Sequence, residues 1–276
     1  MIKDFLTKVR RRRRVIDADA VLVAFPRCGL PRLRDLLWNF LVIQFDLKGA
    51  RAGNLLDLWG QAKGRVPKLF TTNDEDPHTK FPDEINQDKA IYEGKKAVLL
   101  VRDPRNVIAS LYYRRSRRGY IDSNYYWGTL TDFIREGEGG FETLLKFYSV
   151  WTSPANVSVH LVSYENLHDD PAAELLKVVD FLGISGVGEE SLIRAVRQTP
   201  AFGDDNSARA VPRKSAYLEP EVPEGEGSDE KFKHPYLREF EDEDLDWLRE
   251  QMDEMLPGVF PFYRKEDDPE VENKEA

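Results

Sequence analysis

The chain has 276 residues, of which 41% are hydrophobic and 32% charged, and its formal net charge is −9 at pH 7. This length suits one large globular domain or two small ones, with enough apolar residues to bury a core. Cys28 is the only cysteine, which excludes an intramolecular disulfide. The longest apolar run, 38–45, is far shorter than the ~20 residues of a membrane span. We therefore expect a cytoplasmic protein without a membrane span.

The basic residues are concentrated near the start of the chain. Residues 8–14 read KVRRRRR, whereas 219–230 and the tail from Glu266 are acidic. An arginine run of this kind can form a nucleic-acid or membrane-surface patch. A solvated first helix or a flexible arm is the simpler interpretation. We therefore interpret 1–17 as a basic arm or helix and expect no nucleic-acid partner.

Hydrophobic periodicity predicts alternating strands and helices along the rest of the chain. The predicted strands are Val21–Phe25, Lys68–Thr71, Ala97–Val101 and Val157–Ser163. The predicted helices are Arg32–Phe45, Arg105–Arg117, Phe141–Trp151, Ala172–Leu182, Glu189–Arg197 and Glu243–Met255. This alternation predicts a three-layer α/β/α fold with a central parallel sheet, whose ligands bind beyond the carboxyl ends of the strands.

The domain boundaries follow from composition. We expect one domain over 18–262, with a long loop or lid at 203–235, where Gly, Pro, Asp and Glu are frequent and periodicity is lost. The acidic segment 263–276 is expected to be a disordered tail.

The first candidate site is the stretch VAFPRCGLPRLRDLL, which begins at Val23. It predicts a strand, a tight loop and a helix start, where backbone N–H groups can hold an anion. The loop has no Lys-Ser/Thr pair, and Pro31 removes one N–H. Arg27 supplies a cation in its place.

The second candidate site is 97–118, AVLLVRDPRNVIASLYYRRSRR. Arg102 ends the strand and Ser110 lies on the following helix, so both side chains can converge on one small anion. Alternatively, Arg102 pairs with Asp103 or a neighbouring carboxylate while Ser110 faces solvent. Composition alone does not decide between these.

Four blocks together resemble the PAPS-dependent sulfotransferases over roughly residues 18–256. RDPRNVIASLYY resembles the family's 3′-phosphate motif, which pairs an Arg with a Ser eight residues later. VAFPRCGLPRLRDLL resembles its 5′-phosphosulfate loop. VSYENLHDDPAAELLKVVDFLGI and EDEDLDWLREQM resemble later family segments, in the same order.

The resemblance implies a P-loop NTPase-like sulfotransferase fold. It further implies transfer of a sulfuryl group from 3′-phosphoadenosine 5′-phosphosulfate (PAPS) to a hydroxyl or amine of a small-molecule acceptor, a metabolite or carbohydrate. The product would be 3′-phosphoadenosine 5′-phosphate (PAP), no metal would be needed, and a homodimer is compatible with the family. The cofactor residues implied are Arg27, Cys28, Gly29, Leu30, Pro31, Arg32, Arg102, Ser110, Phe202, Arg213 and Lys214.

The phosphosulfate loop departs from the family pattern. Arg27 and Gly29 are kept, but Cys28 replaces a Ser, and Leu30 and Pro31 replace hydroxyl or amide residues. Each missing hydrogen bond to a charged group is worth ~1.5–3 kcal/mol, so we expect weaker binding. Cys28 has no His or Asp at a supporting spacing and is expected to be an inert thiol rather than a nucleophile.

The expected base is also replaced. Asn73 aligns with the family's catalytic His, and an amide cannot accept a proton near neutral pH. Asp74, Glu75, Asp76 and His78 are close in sequence, although DEDP is also good turn chemistry. Geometry favours Asp74 as the base, whereas His78 has the better intrinsic pKa. The predicted catalytic residues are therefore Asp74, His78 and Arg27.

The lid and the aromatic residues complete the expectations. The family's basic, glycine-rich phosphate clamp is missing. Arg213 and Lys214 precede this position and Lys231 and Lys233 flank it, so each of them is a candidate to cap the 3′-phosphate. Trp151 is expected in the core, and 125–127 as a wall of the acceptor pocket.

Three functions remain at this point. The first is an active sulfotransferase, favoured by Arg27, Gly29, Arg102 and Ser110. The second is a catalytically impaired protein of the same fold that serves as a nucleotide- or ligand-binding or interaction module. A nucleotide kinase is disfavoured, because the sequence has no GxxxxGK[ST] motif.

Overall fold

The computed structural model describes residues 2–49, 53–116, 125–152, 154, 156–199, 240–256, 258, 260 and 263. The strands are β1 (Ala20–Ala24), β2 (Leu69–Thr72), β3 (Lys96–Val101) and β4 (Ser158–Ser163). The helices are α1 (Ile2–Asp17), α2 (Leu30–Gln44), α3 (Leu55–Gln61), α4 (Pro104–Ser116), α5 (Leu130–Ile134), α6 (Phe141–Thr152), α7 (Tyr164–Asp169), α8 (Pro171–Leu182), α9 (Glu189–Gln198) and α10 (Asp242–Met255). The predicted lid 203–235, with Phe202, Arg213 and Lys214, lies outside the described residues.

All four predicted strands are present and form one parallel sheet. The strand order is β2-β1-β3-β4, and Ala20 pairs with Leu69 on one side and Lys96 on the other. Every residue of β1 is buried, as are the last five of β3. Burial on both faces explains why these strands are continuous apolar runs rather than alternating ones.

Helices cover both faces of the sheet and confirm the three-layer α/β prediction. Helix α9 packs against α2 and α8, whereas α6 packs against α4 and α10. The chain leaves β1 through α2 toward β2, and leaves β3 through α4 in the opposite direction toward β4. Right-handed crossovers in opposite directions place α2 and α4 on opposite faces. The carboxyl ends of β1 and β3 therefore form a topological switch point, where α/β folds bind ligands.

The basic N-terminal segment is a helix that packs on the domain. Val15 and Ala18 are buried, and Arg11 pairs with Asp76 at 2.8 Å. The ammonium group of Lys95 donates to the carbonyl of Ala18 at 2.6 Å. These contacts favour the helix over the flexible arm as the interpretation of this segment.

Three short helices, α3, α5 and α7, were not predicted, because each is shorter than the window in which helical periodicity can be recognised. Trp151 is fully buried, as predicted. Tyr263, placed by the sequence in the disordered tail, is 4% exposed and belongs to the core. Among the described helices, none is both long and apolar enough to cross a membrane.

Candidate active site

The loop between β1 and α2 has two residues in the left-handed region of backbone conformation. Arg27 has φ 78°, and Gly29, the N-cap of α2, has φ 88°. A Cβ atom at Gly29 would lie 2.7 Å from Cδ2 of Tyr164. Glycine is therefore required here both for the backbone conformation and for the close approach of the Tyr164 ring. Pro31 sits in the first turn of α2, where a missing N–H costs little.

Arg27 joins this loop to the helix that follows β3. Its Nε donates a hydrogen bond of 2.9 Å to Oγ of Ser110 on α4. A guanidinium nitrogen of Arg102 lies 3.4 Å from the carbonyl oxygen of Arg27. Arg27 from the first candidate site and Arg102 and Ser110 from the second therefore lie close together at the switch point.

Arg102 extends across this site from the end of β3. Its guanidinium carbon lies 4.3 Å from the ring centroid of Tyr164. Its Nε is buried and has no hydrogen-bond partner among the described residues. The alternative that Arg102 pairs with Asp103 is wrong, because Asp103 forms a buried ion pair with Arg105 at 2.9 Å. A buried guanidinium nitrogen without an acceptor suits an anionic ligand.

The start of α7 holds the loop after β3. Glu165 accepts the backbone N–H of Asp103 at 3.0 Å and the hydroxyl of Tyr263 at 2.9 Å. Burial raises the pKa of Glu165. The start of α7 therefore contacts two loops of the site. Tyr164 packs against Gly29 in the loop after β1, and Glu165 accepts a hydrogen bond from Asp103 in the loop after β3.

Cys28 faces the core. Its Sγ lies 3.1 Å from the hydroxyl of Tyr148, and burial raises the pKa of its thiol to about 12. The same hydroxyl donates to the carbonyl of Arg102 at 2.8 Å and accepts its N–H at 2.9 Å. A thiol with so high a pKa stays protonated at neutral pH, so this environment favours the inert role expected for Cys28. Leu30 is also buried, so it can reach a ligand through its backbone N–H alone.

The side chain of Asn73 is hydrogen-bonded to the sheet. Its Nδ2 donates at 2.7 Å to the carbonyl of Ala24, the last residue of β1. The amide at the expected base position thus ties the end of β2 to the end of β1.

Asp74, the favoured base, is held by three donors. Its carboxylate accepts from Nζ of Lys89 at 2.6 Å, the hydroxyl of Tyr92 at 2.8 Å and Nε1 of Trp151 at 2.8 Å. Its side chain is 10% exposed, and that of Lys89 is 2% exposed. Because both carboxylate oxygens are engaged by these donors, the contacts give Asp74 a structural role and disfavour it as a base.

The turn after Asp74 presents His78. Asp74, Glu75 and Asp76 have φ of 51°, 68° and 57°, so three successive residues adopt the left-handed conformation. His78 follows in a 3₁₀ turn over Pro77–Thr79. This turn packs against Gly139, where a Cβ atom would overlap the carbonyl of His78.

The surroundings of His78 favour the neutral form of its imidazole by lowering its pKa. It is half-buried, and its Nδ1 has no hydrogen-bond partner in the described part of the chain. Burial lowers the pKa of His78. The negative charge of Asp76 raises this pKa, whereas the positive charges of Arg115 and Arg114 lower it further. These arginines lie on α4, and Arg114 is one helical turn beyond Ser110. His78 therefore lies beside the helix that carries Ser110.

The remaining predicted residues are placed as follows. Arg32 is half-buried on α2, and burial lowers the pKa of its guanidinium. Trp127 is 84% exposed and lies 4.3 Å from the ring of Tyr125. The role of 125–127 as an acceptor-pocket wall stays a prediction.

Sequence reasoning missed Tyr148, Tyr164, Glu165 and Lys89 as parts of the site. Tyr164 and Glu165 lie within a block that was noticed, and their position directly after β4 was the available signal. Tyr148 lies on α6, and Lys89 directly precedes a 3₁₀ turn over Ala90–Tyr92; no motif marks either of them.

The sulfotransferase domain model matches residues 17–203, about two thirds of the chain. Rat sulfotransferase 2A1 is 24% identical over 193 residues, which cover 66% of this chain and 65% of that protein. Mouse sulfotransferase 2A2 is 21% identical over 209 residues, covering 74% of this chain and 73% of its own.

Solved structures show the same fold. The crystal structure of mouse sulfotransferase SULT7A1 complexed with PAP has a TM-score of 0.51 at 16% identity and covers 88% of this chain and 86% of its own. Retinol dehydratase in complex with androsterone and PAP has a TM-score of 0.53 at 15% identity and covers 87% of this chain and 81% of its own. These likenesses confirm the predicted sulfotransferase fold. The chain belongs to the sulfotransferase family.

Proposed function

We propose that this protein transfers a sulfuryl group from PAPS to a hydroxyl or amine of a small-molecule acceptor. The observation that carries the proposal is the convergence of Arg27, Ser110 and Arg102 at the switch point of the sheet. Two structural neighbours whose crystal structures contain PAP support a nucleotide of this kind.

The residues at the switch point fit a nucleotide with two anionic ends. Arg102 and Ser110 hold the 3′-phosphate, for which the buried Nε of Arg102 supplies an unused donor. Arg27 and the N–H groups at the start of α2 hold the 5′-phosphosulfate. Arg27 also stabilises the negative charge that develops on the leaving phosphate, because a fixed cation costs no reorganisation during the reaction. Phe202, Arg213 and Lys214 remain proposed contacts from the segment outside the described residues.

We assign the base to His78 rather than Asp74. The Asp74 carboxylate is occupied by Lys89, Tyr92 and Trp151. Burial lowers the pKa of His78 and so favours the neutral imidazole, which can accept the acceptor's proton.

A second function is favoured by one observation. Asn73 and Asp74, at and beside the family's base position, both have structural partners. A protein that binds the nucleotide without turnover would have the same geometry.

Calorimetry with PAP tests the nucleotide site. The wild-type chain should bind PAP, and Arg102→Ala should weaken binding about 30-fold, because a charge-assisted contact is worth about 2 kcal/mol. Arg194→Ala, an exposed arginine on α9, is the matched control and should bind like wild type. Unchanged affinity in a folded Arg102→Ala variant would overturn the site.

Transfer assays with PAPS and a panel of hydroxyl and amine acceptors test turnover. His78→Gln should lower kcat roughly 100-fold while leaving PAP affinity unchanged. Full activity of His78→Gln on an accepted substrate would exclude it as the base. PAP binding without transfer to any acceptor would favour the binding module.

A further inference from the structure

Helix α1 has a charge opposite to that of the rest of the chain. Its sequence has seven Lys or Arg and two Asp, in a protein of net charge −9. The arginines at 10, 12, 13 and 14 are exposed. The proposed sulfuryl transfer uses none of them.

Two contacts fix the orientation of this helix on the domain. Val15 is 3% exposed and packs into the core, and Arg11 pairs with Asp76 at 2.8 Å. Arg11 and Val15 are four residues apart, so they mark one side of the helix as the packed side.

The opposite side has apolar residues between arginines. Ile16 is 56% exposed, and Val9, two turns earlier, lies on the same side of the helix. Arg12 and Arg13 flank this line on either side and are exposed.

We propose that the outward side of α1 docks on the surface of a lipid bilayer that contains anionic lipids. The arginines complement the negative headgroups, and the apolar line between them enters the boundary with the acyl chains. Long arginine side chains can bury their stems along such a surface while their charge stays at the headgroups. A nucleic acid would attract the arginines but would gain nothing from exposed Ile16. The apolar line therefore favours a membrane over a nucleic acid.

Co-sedimentation of the full chain with large unilamellar vesicles tests this proposal. The protein should bind vesicles of phosphatidylcholine and phosphatidylserine at 3:1, and bind pure phosphatidylcholine vesicles weakly. The double variant R12E/R13E should bind the anionic vesicles at least 30-fold more weakly, because each basic residue near such a surface contributes about fivefold.

The matched control is R194E/R197E on α9, which reverses two exposed arginines beside Ile193, itself 40% exposed. This control should bind vesicles like wild type. Equal losses in the two double variants would show a nonspecific charge effect and overturn the proposal.

Ile16→Asn separates a membrane from other acidic partners. It should weaken vesicle binding several-fold and leave binding to a 20-base-pair DNA duplex unchanged. Vesicle binding unaffected by Ile16→Asn, or duplex binding tighter than vesicle binding, would overturn the proposal in favour of a purely electrostatic partner. Because these measurements need neither PAPS nor turnover, their outcome is independent of the proposed enzymatic function.

Discussion

The side chains of Arg27 and Ser110 are joined by a hydrogen bond of 2.9 Å although 83 positions separate them in the chain. Arg27 adopts φ 78°, a conformation that costs a non-glycine residue roughly 1–2 kcal/mol. The bond to Ser110 directs the strained arginine toward the helix after β3. The Arg27 guanidinium and the Ser110 hydroxyl are therefore held together before a ligand binds, and we treat them as one unit.

A double-mutant cycle on PAP affinity tests this unit. We expect Arg27→Ala and Ser110→Ala each to weaken PAP binding, and the double variant to lose less than the sum of the two. Residues that share a hydrogen bond typically show a coupling of 0.5–3 kcal/mol. Calorimetry on the four proteins measures it.

The control pair for this cycle is Arg27 with Lys177, which lies on α8 and pairs with Glu174 there. That pair should be additive. Additive losses for Arg27 and Ser110 as well would show that the two residues act on the ligand independently.

Removing one partner of the buried ion pair between Asp74 and Lys89 should destabilise the fold strongly. Asp74→Asn leaves the Lys89 ammonium, 2% exposed, without its counter-charge. Breaking one partner of a buried pair typically costs 3–5 kcal/mol, whereas removing both charges costs much less. Urea unfolding should therefore show a large loss for Asp74→Asn and partial recovery in Asp74→Asn with Lys89→Met. A variant Asp74→Asn as stable as wild type would return Asp74 to the list of candidate bases.

The sheet could be predicted from the sequence, because its signal is local. The runs 20–24 and 97–101 are apolar on both faces, and each predicted strand lies within one residue of the observed one. The proximity of Arg102 and Ser110 could be predicted as well, because they lie on consecutive elements at a recognisable spacing; their role in binding a phosphate stays a prediction.

The role of Asp74 could not be predicted, because its partners are remote. Lys89, Tyr92 and Trp151 lie 15, 18 and 77 positions away and meet Asp74 only in the folded chain. From the sequence, Asp74 is one of several acidic residues in a polar turn. Tertiary packing places its carboxylate among these three donors, and for that reason we propose the neighbouring His78 as the base instead.

Stability should fall on acidification through His160 and His78. Burial lowers the pKa of both imidazoles below the usual 6.5, so the folded protein binds these protons less readily than the unfolded chain does. Their contribution is therefore complete above pH 6.5 and is lost as the pH falls through the lowered values. One pKa unit corresponds to about 1.4 kcal/mol, and partial exposure reduces the effect of each histidine below that.

Urea unfolding at pH 7.5 and 5.5 measures this dependence. His160, stacked on Phe181 with ring centroids 5.2 Å apart, is the residue to replace, because it lies outside the active site. The free energy of unfolding of His160→Gln should change less between the two pH values than that of wild type. The raised pKa of Glu165 acts in the opposite direction, but it is common to both proteins and cancels in the comparison. Identical pH dependence in the two proteins would contradict the prediction.

Gly29→Ala should damage the nucleotide site more than the fold. An alanine at φ 88° is strained, and its Cβ would meet the Tyr164 ring at 2.7 Å. The ring is packed between Gly29 and the Arg102 guanidinium, so its displacement would move the cation proposed to hold the 3′-phosphate. We expect PAP affinity to fall at least tenfold, with a stability loss of about 1–3 kcal/mol. Combining Gly29→Ala with Tyr164→Leu removes the clash but not the backbone strain. If the double variant binds PAP no better than Gly29→Ala, the loop conformation rather than the ring position controls the site.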